Sequence, residues 1–452
     1  MKTIQIVAAV ASGLLVYLLL TGGHTWQLVP LEVIATFLLW QVFQNPQMKR
    51  AGWIYFISVW GVGLTLLALY IMPRFQLPKP TGPFAIGVTY AAIETNRPET
   101  FTTDTTDKRT LYLKIWYPAA NTSTERNPYL EGGKQGIATL AELANLPGFL
   151  FSHFSRIRTH GFTNAPLAER LFPILTFSHG YGSWFGQNTA LMEELASRGF
   201  VVIAIAHSHQ TIIAARDENT LVQFERVVPL DTNRPADDNK RFEDFLATAD
   251  RAKFTELFYQ HLAEAAPFTH TCAQIWGDDI RSALDYITTE NERLNSMFFH
   301  HLDTQKVGAF GMSFGGAASG QAALHDPRIK AGLNMDGTPY GTWAQDTMRI
   351  PFLTLEAKRS RIGYSMYAPL RARSKGGYLN LLFVDAEHYN FTDVNLFSPI
   401  FQWLGVTGKV SGDQMMTHLC TIVPDFFTRV FAGDQPVESD YVVPDEVERA
   451  EF

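Results

Sequence analysis

The chain has 452 residues, 46% hydrophobic and 18% charged, with a formal net charge of −7. That length suits a large core-bearing domain plus an accessory segment, and a charged share below the usual quarter is what a chain partly seated in lipid would show. The acidic balance argues against nucleic acid as a partner, since phosphate binding needs basic patches. Two cysteines, Cys272 and Cys420, are too few for a disulfide framework and lack metal-ligand spacing. Free core thiols and a single bridge both stay open.

Three apolar stretches open the chain: Ile4 to Leu20, Leu28 to Phe43 and Trp53 to Met72. The third has twenty residues without charge, long enough to span a hydrocarbon core as a helix. The second is short and contains Pro30 and Glu32. A cleaved signal peptide is the rival for the first stretch, but two further apolar stretches follow it before any soluble pattern begins. The expectation is a membrane-anchoring segment over residues 1–78 with two to three transmembrane helices, then a catalytic domain over 79–452. Lys2, Lys49 and Arg50 fall on one side if all three stretches span. The chain is then integral to the cell (inner) membrane, with its catalytic domain outside the cytoplasm. If the second stretch does not span, the sides exchange. Pro73, Pro78, Pro80, Gly82 and Pro83 mark a linker.

From about Ala85 short apolar runs alternate with helical ones. Strands are expected over Leu111–Trp116, Pro173–Phe177, Phe200–Ala206, Val307–Phe310, Ala331–Met335, Phe352–Leu355 and Tyr378–Val384. Runs apolar on both faces suit a sheet covered by helices on each side. Asn188–Arg198 reads as a helix stopped by Gly199, and Ile275–Ile287 puts Trp276, Ile280, Ala283, Leu284 and Ile287 on one face. The expected fold class is α/β, with a mostly parallel sheet flanked by helices. An insertion between Ala206 and Ile275 carries Phe242, Phe245, Leu246, Ala249, Phe254, Leu257, Phe258 and Leu262 at helical spacing, a stripe expected to pack on the domain, with a partner-docking or membrane-touching helix as the alternative.

Gly311-Met312-Ser313-Phe314-Gly315 is a G-x-S-x-G match, of which a chain this long yields roughly 0.1 by chance. Its context strengthens it. A short apolar strand precedes Ser313 and a run of small residues follows, the strand–turn–helix of a nucleophile elbow. A serine hydroxyl needs a base within hydrogen-bond reach. Of the three histidines downstream, His325 ends the helix after the elbow and His418 lies in a C-terminal helical stretch. His388 follows the strand Tyr378–Val384 and is the expected base. The acid has two candidates at strand ends, Asp336 and Asp385. Asp385, three residues before His388, would need to fold back within one tight loop, which favours Asp336. Expected oxyanion donors are the Phe314 amide and, from the turn Ser178-His179-Gly180-Tyr181-Gly182, the Tyr181 amide.

Phe177-Ser178-His179-Gly180, Gly311-Met312-Ser313-Phe314-Gly315-Gly316, an Asp twenty-three residues after the serine and a His after a late strand together resemble the platelet-activating factor acetylhydrolase family (plasma type, isoform II) of the α/β-hydrolase superfamily. Ile115-Trp116-Tyr117-Pro118 and Ala165-Pro166-Leu167 add to the resemblance, which covers roughly Gly82 to Phe401. It implies an α/β-hydrolase fold, a triad of Ser313, Asp336 and His388, and a calcium-independent esterase acting on phospholipids with a short or oxidised sn-2 acyl chain. Two departures bear on the substrate. His207-Ser208-His209 stands where the family tends to carry His-Arg-Asp, and the plasma enzyme lacks N-terminal membrane segments.

His207 and His209 have no further His or Cys at ligand spacing, so neither a metal nor a cofactor is expected. The expected function is a membrane-anchored serine carboxylic-ester hydrolase whose partners are a lipid or small-molecule ester and the bilayer. The rivals are a general short-chain ester or polyester (cutinase-like) hydrolase and, in another class, a non-catalytic membrane binding protein on a hydrolase scaffold. Substrate-binding residues and oligomeric state stay open.

Overall fold

The computed structural model describes residues 2–22, 24–44, 51–122, 125–224, 228–230, 266–343, 345–357, 367–435 and 447–449, with scattered positions from 250 to 264. The described strands are β1 (Ala85–Pro98), β2 (Lys108–Ala119), β3 (Gly161–Thr163), β4 (Phe172–Ser178), β5 (Val201–Ala206), β6 (Ala214–Ala215), β7 (Leu221–Val222), β8 (Leu302–Met312), β9 (Ile329–Met335), β10 (Phe352–Ala357), β11 (Tyr378–Phe383) and β12 (Val447–Arg449). The helices used below are α1 (Lys2–Gly22), α2 (Val29–Gln44), α3 (Ala51–Ile71), α4 (Lys134–Leu143), α5 (Thr189–Ser197), α6 (Pro267–Glu292), α7 (Phe314–His325), α8 (Ala368–Arg373), α9 (Ile400–Trp403) and α10 (Gly412–Ala432).

Along β5, Val201, Ile203 and Ile205 enter one core and Val202, Ala204 and Ala206 the other, all buried. A strand apolar on both faces needs a layer on each side. One layer holds α5 and α10, through side chains such as Leu191, Leu195, Met415, Leu419 and Phe427. The other holds α6 and α7, through Cys272, Trp276, Ile280, Phe314 and Ala318. Between them lies a ten-stranded sheet in the order β12-β11-β10-β9-β8-β4-β5-β2-β1-β3. β5, β4, β8, β9, β10 and β11 run parallel. β2 is antiparallel to both β5 and β1, and β12 is antiparallel to β11. The C-terminal ends of the parallel strands therefore share one edge, where loops can converge on a site.

The seven strands expected from the sequence lie in this sheet, and two differences have physical reasons. β1 is not among the expected strands: past Ala91 its residues alternate between half-buried and exposed near the sheet's edge, leaving Ala92, Glu94, Asn96 and Pro98 outward. β2 continues through Pro118 to Ala119 because its pairing with β5 ends at Trp116, so the donor Pro118 lacks is not needed by that ladder. The two short motifs flanking this region meet. The Tyr117 hydroxyl donates to the Ala165 carbonyl at 2.7 Å, and the Ala120 amide to that of Pro166 at 2.8 Å.

The N-terminal helices join the rest through the Pro-rich segment, which is itself packed. Phe75 stacks on Phe397 with ring centroids 5.2 Å apart, and the Thr81 amide donates to Glu194 Oε2 at 2.8 Å. Trp26 Nε1 donates to the Leu150 carbonyl at 3.0 Å and Gln27 Nε2 to that of Met72 at 2.8 Å. Among the described residues no helix is long and apolar enough to cross a membrane; several side chains of α1 and α3 lie outside that set. Of the stripe expected across the insertion, Phe242, Phe245, Leu246, Ala249, Phe254 and Phe258 also lie outside it, while Leu262 is buried. Cys272 and Cys420 are both free thiols.

Candidate active site

β8 runs straight into Ser313 and α7 begins at the next residue. The turn between them is tight enough to force Ser313 to φ 57° and ψ −125°. A non-glycine residue held there stores roughly 1–3 kcal/mol of backbone strain, sustained only by its surroundings. The Ser313 amide donates to the Met335 carbonyl of β9 at 2.8 Å, and its carbonyl accepts from the Gly316 amide at 2.9 Å. The flanking glycines are dictated by contact. A Cβ on Gly311 would lie 2.2 Å from the Gly315 carbonyl oxygen, and one on Gly315 would lie 2.0 Å from that of Ser178.

His388 opens a short 3-10 turn after β11. Asn390 Oδ1 accepts from the amides of Glu387 at 2.8 Å and Gly408 at 2.6 Å, which ties that loop down. His388 Nε2 lies 2.9 Å from Ser313 Oγ, and His388 Nδ1 lies 2.6 Å from Asp336 Oδ2. The imidazole is 32% exposed and the carboxylate wholly buried, so the ring is reachable from outside while its partner is not. Asp336 ends β9 at φ 54°. Its second oxygen accepts from the Ala357 amide at 3.0 Å, and its own amide donates to the Leu355 carbonyl at 2.7 Å. An ionised carboxylate only accepts, so Nδ1 carries the proton and Nε2 is left to accept from the serine hydroxyl. Asp385, the other candidate acid, is exposed, and its carbonyl receives the Val410 amide at 3.1 Å.

The turn after β4 lies beside the serine: a Cβ on Gly180 would sit 3.4 Å from Ser313 Cβ. The Gly180 amide is taken by Gln187 Oε1 at 2.9 Å and the Gly182 amide by the Gln210 carbonyl at 3.1 Å. Between them the Tyr181 amide meets no acceptor among the described residues, and neither does the Phe314 amide at the start of α7. Their rings meet edge-on, with centroids 6.5 Å apart. Elsewhere, His325 Nε2 faces Thr342 Oγ1 at 3.5 Å, and the His418 ring lies 6.0 Å from that of Phe383.

His207 has both ring nitrogens engaged, Nδ1 with Asp279 Oδ2 at 2.8 Å and Nε2 with Ser178 Oγ at 3.0 Å, so it has no lone pair for a metal. Burial lowers its pKa to about 4 despite Asp279, and burial together with His207 lowers His179 to about 3. Both rings are therefore neutral at physiological pH. Burial alone would raise the Asp279 carboxyl, but Arg109, bonded to it from Nε at 2.7 Å and Nη2 at 2.6 Å, holds it well below the carboxylate range with help from His207. His209 sits at φ 63° between the rings of Phe101 and Phe224. Among the described residues no cluster of His, Cys, Asp and Glu could hold a metal.

Sequence reasoning missed the residues that brace the site. Asn334 holds the turn after Asp336, giving its Nδ2 to the Gly337 carbonyl at 2.8 Å and accepting the Gly337 amide at 2.9 Å. An Asn in an otherwise apolar strand is the available signal. Asp279 had one too, since it lies three residues after Trp276 on the buried side of α6.

Residues 70–234 match the family model for platelet-activating factor acetylhydrolase, isoform II. The platelet-activating factor acetylhydrolase of Cavia porcellus is 22% identical over 361 residues, covering 75% of this chain and 74% of that protein. That of Gallus gallus is 24% identical over 363 residues, covering 75% and 79%. The chain is similar to this family along most of its length. It has the α/β-hydrolase fold, and these similarities support carboxylic-ester hydrolase as its class. A solved ferulic acid esterase from Streptomyces cinnamoneus shares the fold at TM-score 0.63 and 20% identity, over 83% of this chain and 99% of that one. The family match spans β1 to β7, including the turn at Gly180 and His207, and ends before Ser313.

Proposed function

We propose that this chain is a member of the platelet-activating factor acetylhydrolase family, a membrane-anchored serine esterase that releases short or oxidised sn-2 acyl groups from phospholipids. The observation that carries the serine mechanism is the unbroken chain Ser313 Oγ–His388–Asp336, at 2.9 and 2.6 Å, beside the Tyr181 and Phe314 amides, which meet no acceptor among the described residues. Ser313 Oγ attacks the ester carbonyl carbon while His388 Nε2 takes its proton. The Phe314 and Tyr181 amides receive the oxyanion, each such donor being worth about 10²–10³ in rate. Collapse expels the lysolipid alcohol, which takes the proton back from His388. Water, deprotonated by the same nitrogen, then attacks the acyl-serine and releases the fatty acid. Asp336 holds the ring's tautomer and stabilises its charged form without taking the proton.

The lipid substrate rests on the family and on the N-terminal region. Ile6, Val10, Val59 and Leu66 on α1 and α3 are 58–71% exposed, an arrangement unfavourable in water and natural against acyl chains. Ser398, ten residues beyond His388, gives its hydroxyl to the Ile71 carbonyl at the end of α3, which would hold the site close to the anchor. The basic residues before and between the apolar stretches favour the inner membrane with the catalytic domain outside the cytoplasm. The test is hydrolysis by the full chain, in vesicles, of phosphatidylcholines with sn-2 chains from acetyl to oleoyl. The proposal expects kcat/KM to fall by at least tenfold between acetyl or butanoyl and oleoyl, and alkaline carbonate to leave the protein in the pellet. Equal rates across the series remove the proposed specificity, and release by carbonate removes the anchor.

A further inference from the structure

A second Ser–His–Asp chain lies behind the first. The Ser178 hydroxyl donates to His207 Nε2 at 3.0 Å, and His207 Nδ1–H donates to Asp279 Oδ2 at 2.8 Å. Ser178, His207 and Asp279 are all essentially inaccessible, so no substrate can reach this serine, and the chain is not a second nucleophilic centre. It is anchored at its far end by Arg109, which also pairs with buried Glu99 at 3.0 Å.

Its near end touches both sides of the oxyanion site. Ser178 leads into the turn that carries the Tyr181 amide, and its carbonyl is what a side chain at Gly315 would strike. The His207 ring stacks on Trp276 at 3.7 Å and 7°, and Trp276 in turn packs against Phe314 at 4.8 Å and His179 at 5.0 Å. Trp276 Nε1 donates to Gln210 Oε1 at 2.6 Å, and the Gln210 backbone carbonyl accepts the Gly182 amide. One buried imidazole thus links the elements bearing the two amides that the serine mechanism uses.

We propose that His207, held between Ser178 and Asp279, is a positioning residue that fixes the Tyr181 and Phe314 amides relative to Ser313, and so sets the rate of acyl transfer without touching substrate. This rests on the serine-hydrolase reading above. Oxyanion donors must stand within a few tenths of an ångström of the developing charge, so a loosened turn costs rate more than ground-state binding. The ring's neutrality follows from its burial and keeps Nε2 an acceptor across the working pH range.

The experiment compares wild type, Ser178→Ala, His207→Leu and His207→Gln in the full chain. Rates on p-nitrophenyl butyrate are normalised to sites titrated with a fluorophosphonate, which removes any loss of folded protein. His207→Leu is expected to lower kcat per titrated site by about 10- to 100-fold with KM within about twofold. Ser178→Ala should lower kcat about 3- to 10-fold. His207→Gln, whose carboxamide can accept from Ser178 and donate to Asp279, should recover most of the loss. A kcat per site within twofold of wild type for both His207→Leu and Ser178→Ala overturns the proposal, whatever their melting temperatures. So does a loss carried by KM. If His207→Leu does not fold, Ser178→Ala decides. A wild type that cannot be titrated at all overturns the serine reading and this inference with it, whereas a titratable wild type with unaffected variants removes the inference alone.

Discussion

Replacing Asp336 by Asn separates the acid's electrical role from its structural one. The Asn side chain has nearly the same shape, and its carbonyl can still accept the Ala357 amide at the position of Oδ1, 3.0 Å away. Its NH₂ would then face His388 Nδ1 where the carboxylate oxygen now lies 2.6 Å from it. A donor there forces the imidazole proton onto Nε2, which faces Ser313 Oγ at 2.9 Å and can no longer accept from it. The base is lost and the buried countercharge to the imidazolium goes with it. Losing the correct tautomer in a serine triad costs about 10⁴ in kcat, which is ~5 kcal/mol of barrier. The expected result for Asp336→Asn is therefore a fall in kcat of about 10³–10⁴ on p-nitrophenyl butyrate, with KM within about threefold and secondary structure intact. Asp385→Asn, at an exposed position, should stay within twofold of wild type. A variant Asp336→Asn retaining a tenth of the wild-type kcat, or an inactive Asp385→Asn, would refute the assignment.

Three further outcomes follow from the geometry. Gly315→Ala puts a methyl group 2.0 Å from the Ser178 carbonyl oxygen, so the elbow must shift; a loss of about 1–3 kcal/mol in stability and slower fluorophosphonate labelling are expected, and wild-type values for both would contradict the packing. Burial pushes the Asp393 carboxyl up to about 8, so between about pH 4 and 8 the folded chain keeps a proton the unfolded chain has lost. The stability it contributes is whole at low pH and disappears as pH rises to about 8. Asp393→Asn should flatten the dependence of Tm on pH across that window, and an unchanged slope would refute the shift. Cys272 and Cys420 are free, so alkylation of the unfolded chain without reductant should modify two thiols, and none would reveal a bridge.

What the sequence revealed depended on how local the determining forces are. β5 and the Val307–Phe310 part of β8 were legible because burial on both faces leaves an unbroken apolar run, whereas β8 begins earlier, at Leu302, through the polar and partly exposed Asp303 to Lys306. β1 was not, because its outward residues near the sheet edge carry the polar composition of a loop. Ser313 and His388 stood out because strand ends on one edge of a parallel sheet must deliver the reacting groups, and chain order limited the histidines to three. Choosing between Asp336 and Asp385 needed loop geometry, which the structure supplies through the 2.6 Å contact to His388. His207 was weighed as a metal ligand and as a departure from the family pattern but not as a bracing residue, since its partner Asp279 lies 72 residues away on α6 and no spacing rule links them. The expectation that the N-terminal helices anchor in a bilayer rests on composition alone, and among the described residues no helix is long and apolar enough to cross one.

The central claim is that Ser313 is the nucleophile, and reaction of the full chain with a fluorophosphonate probe, read by intact and peptide mass spectrometry, tests it most directly. The account predicts one phosphonyl adduct per chain, on Ser313, absent from Ser313→Ala and blocked by prior reaction with substrate ester. No adduct on the wild type, or undiminished labelling of Ser313→Ala, would contradict it.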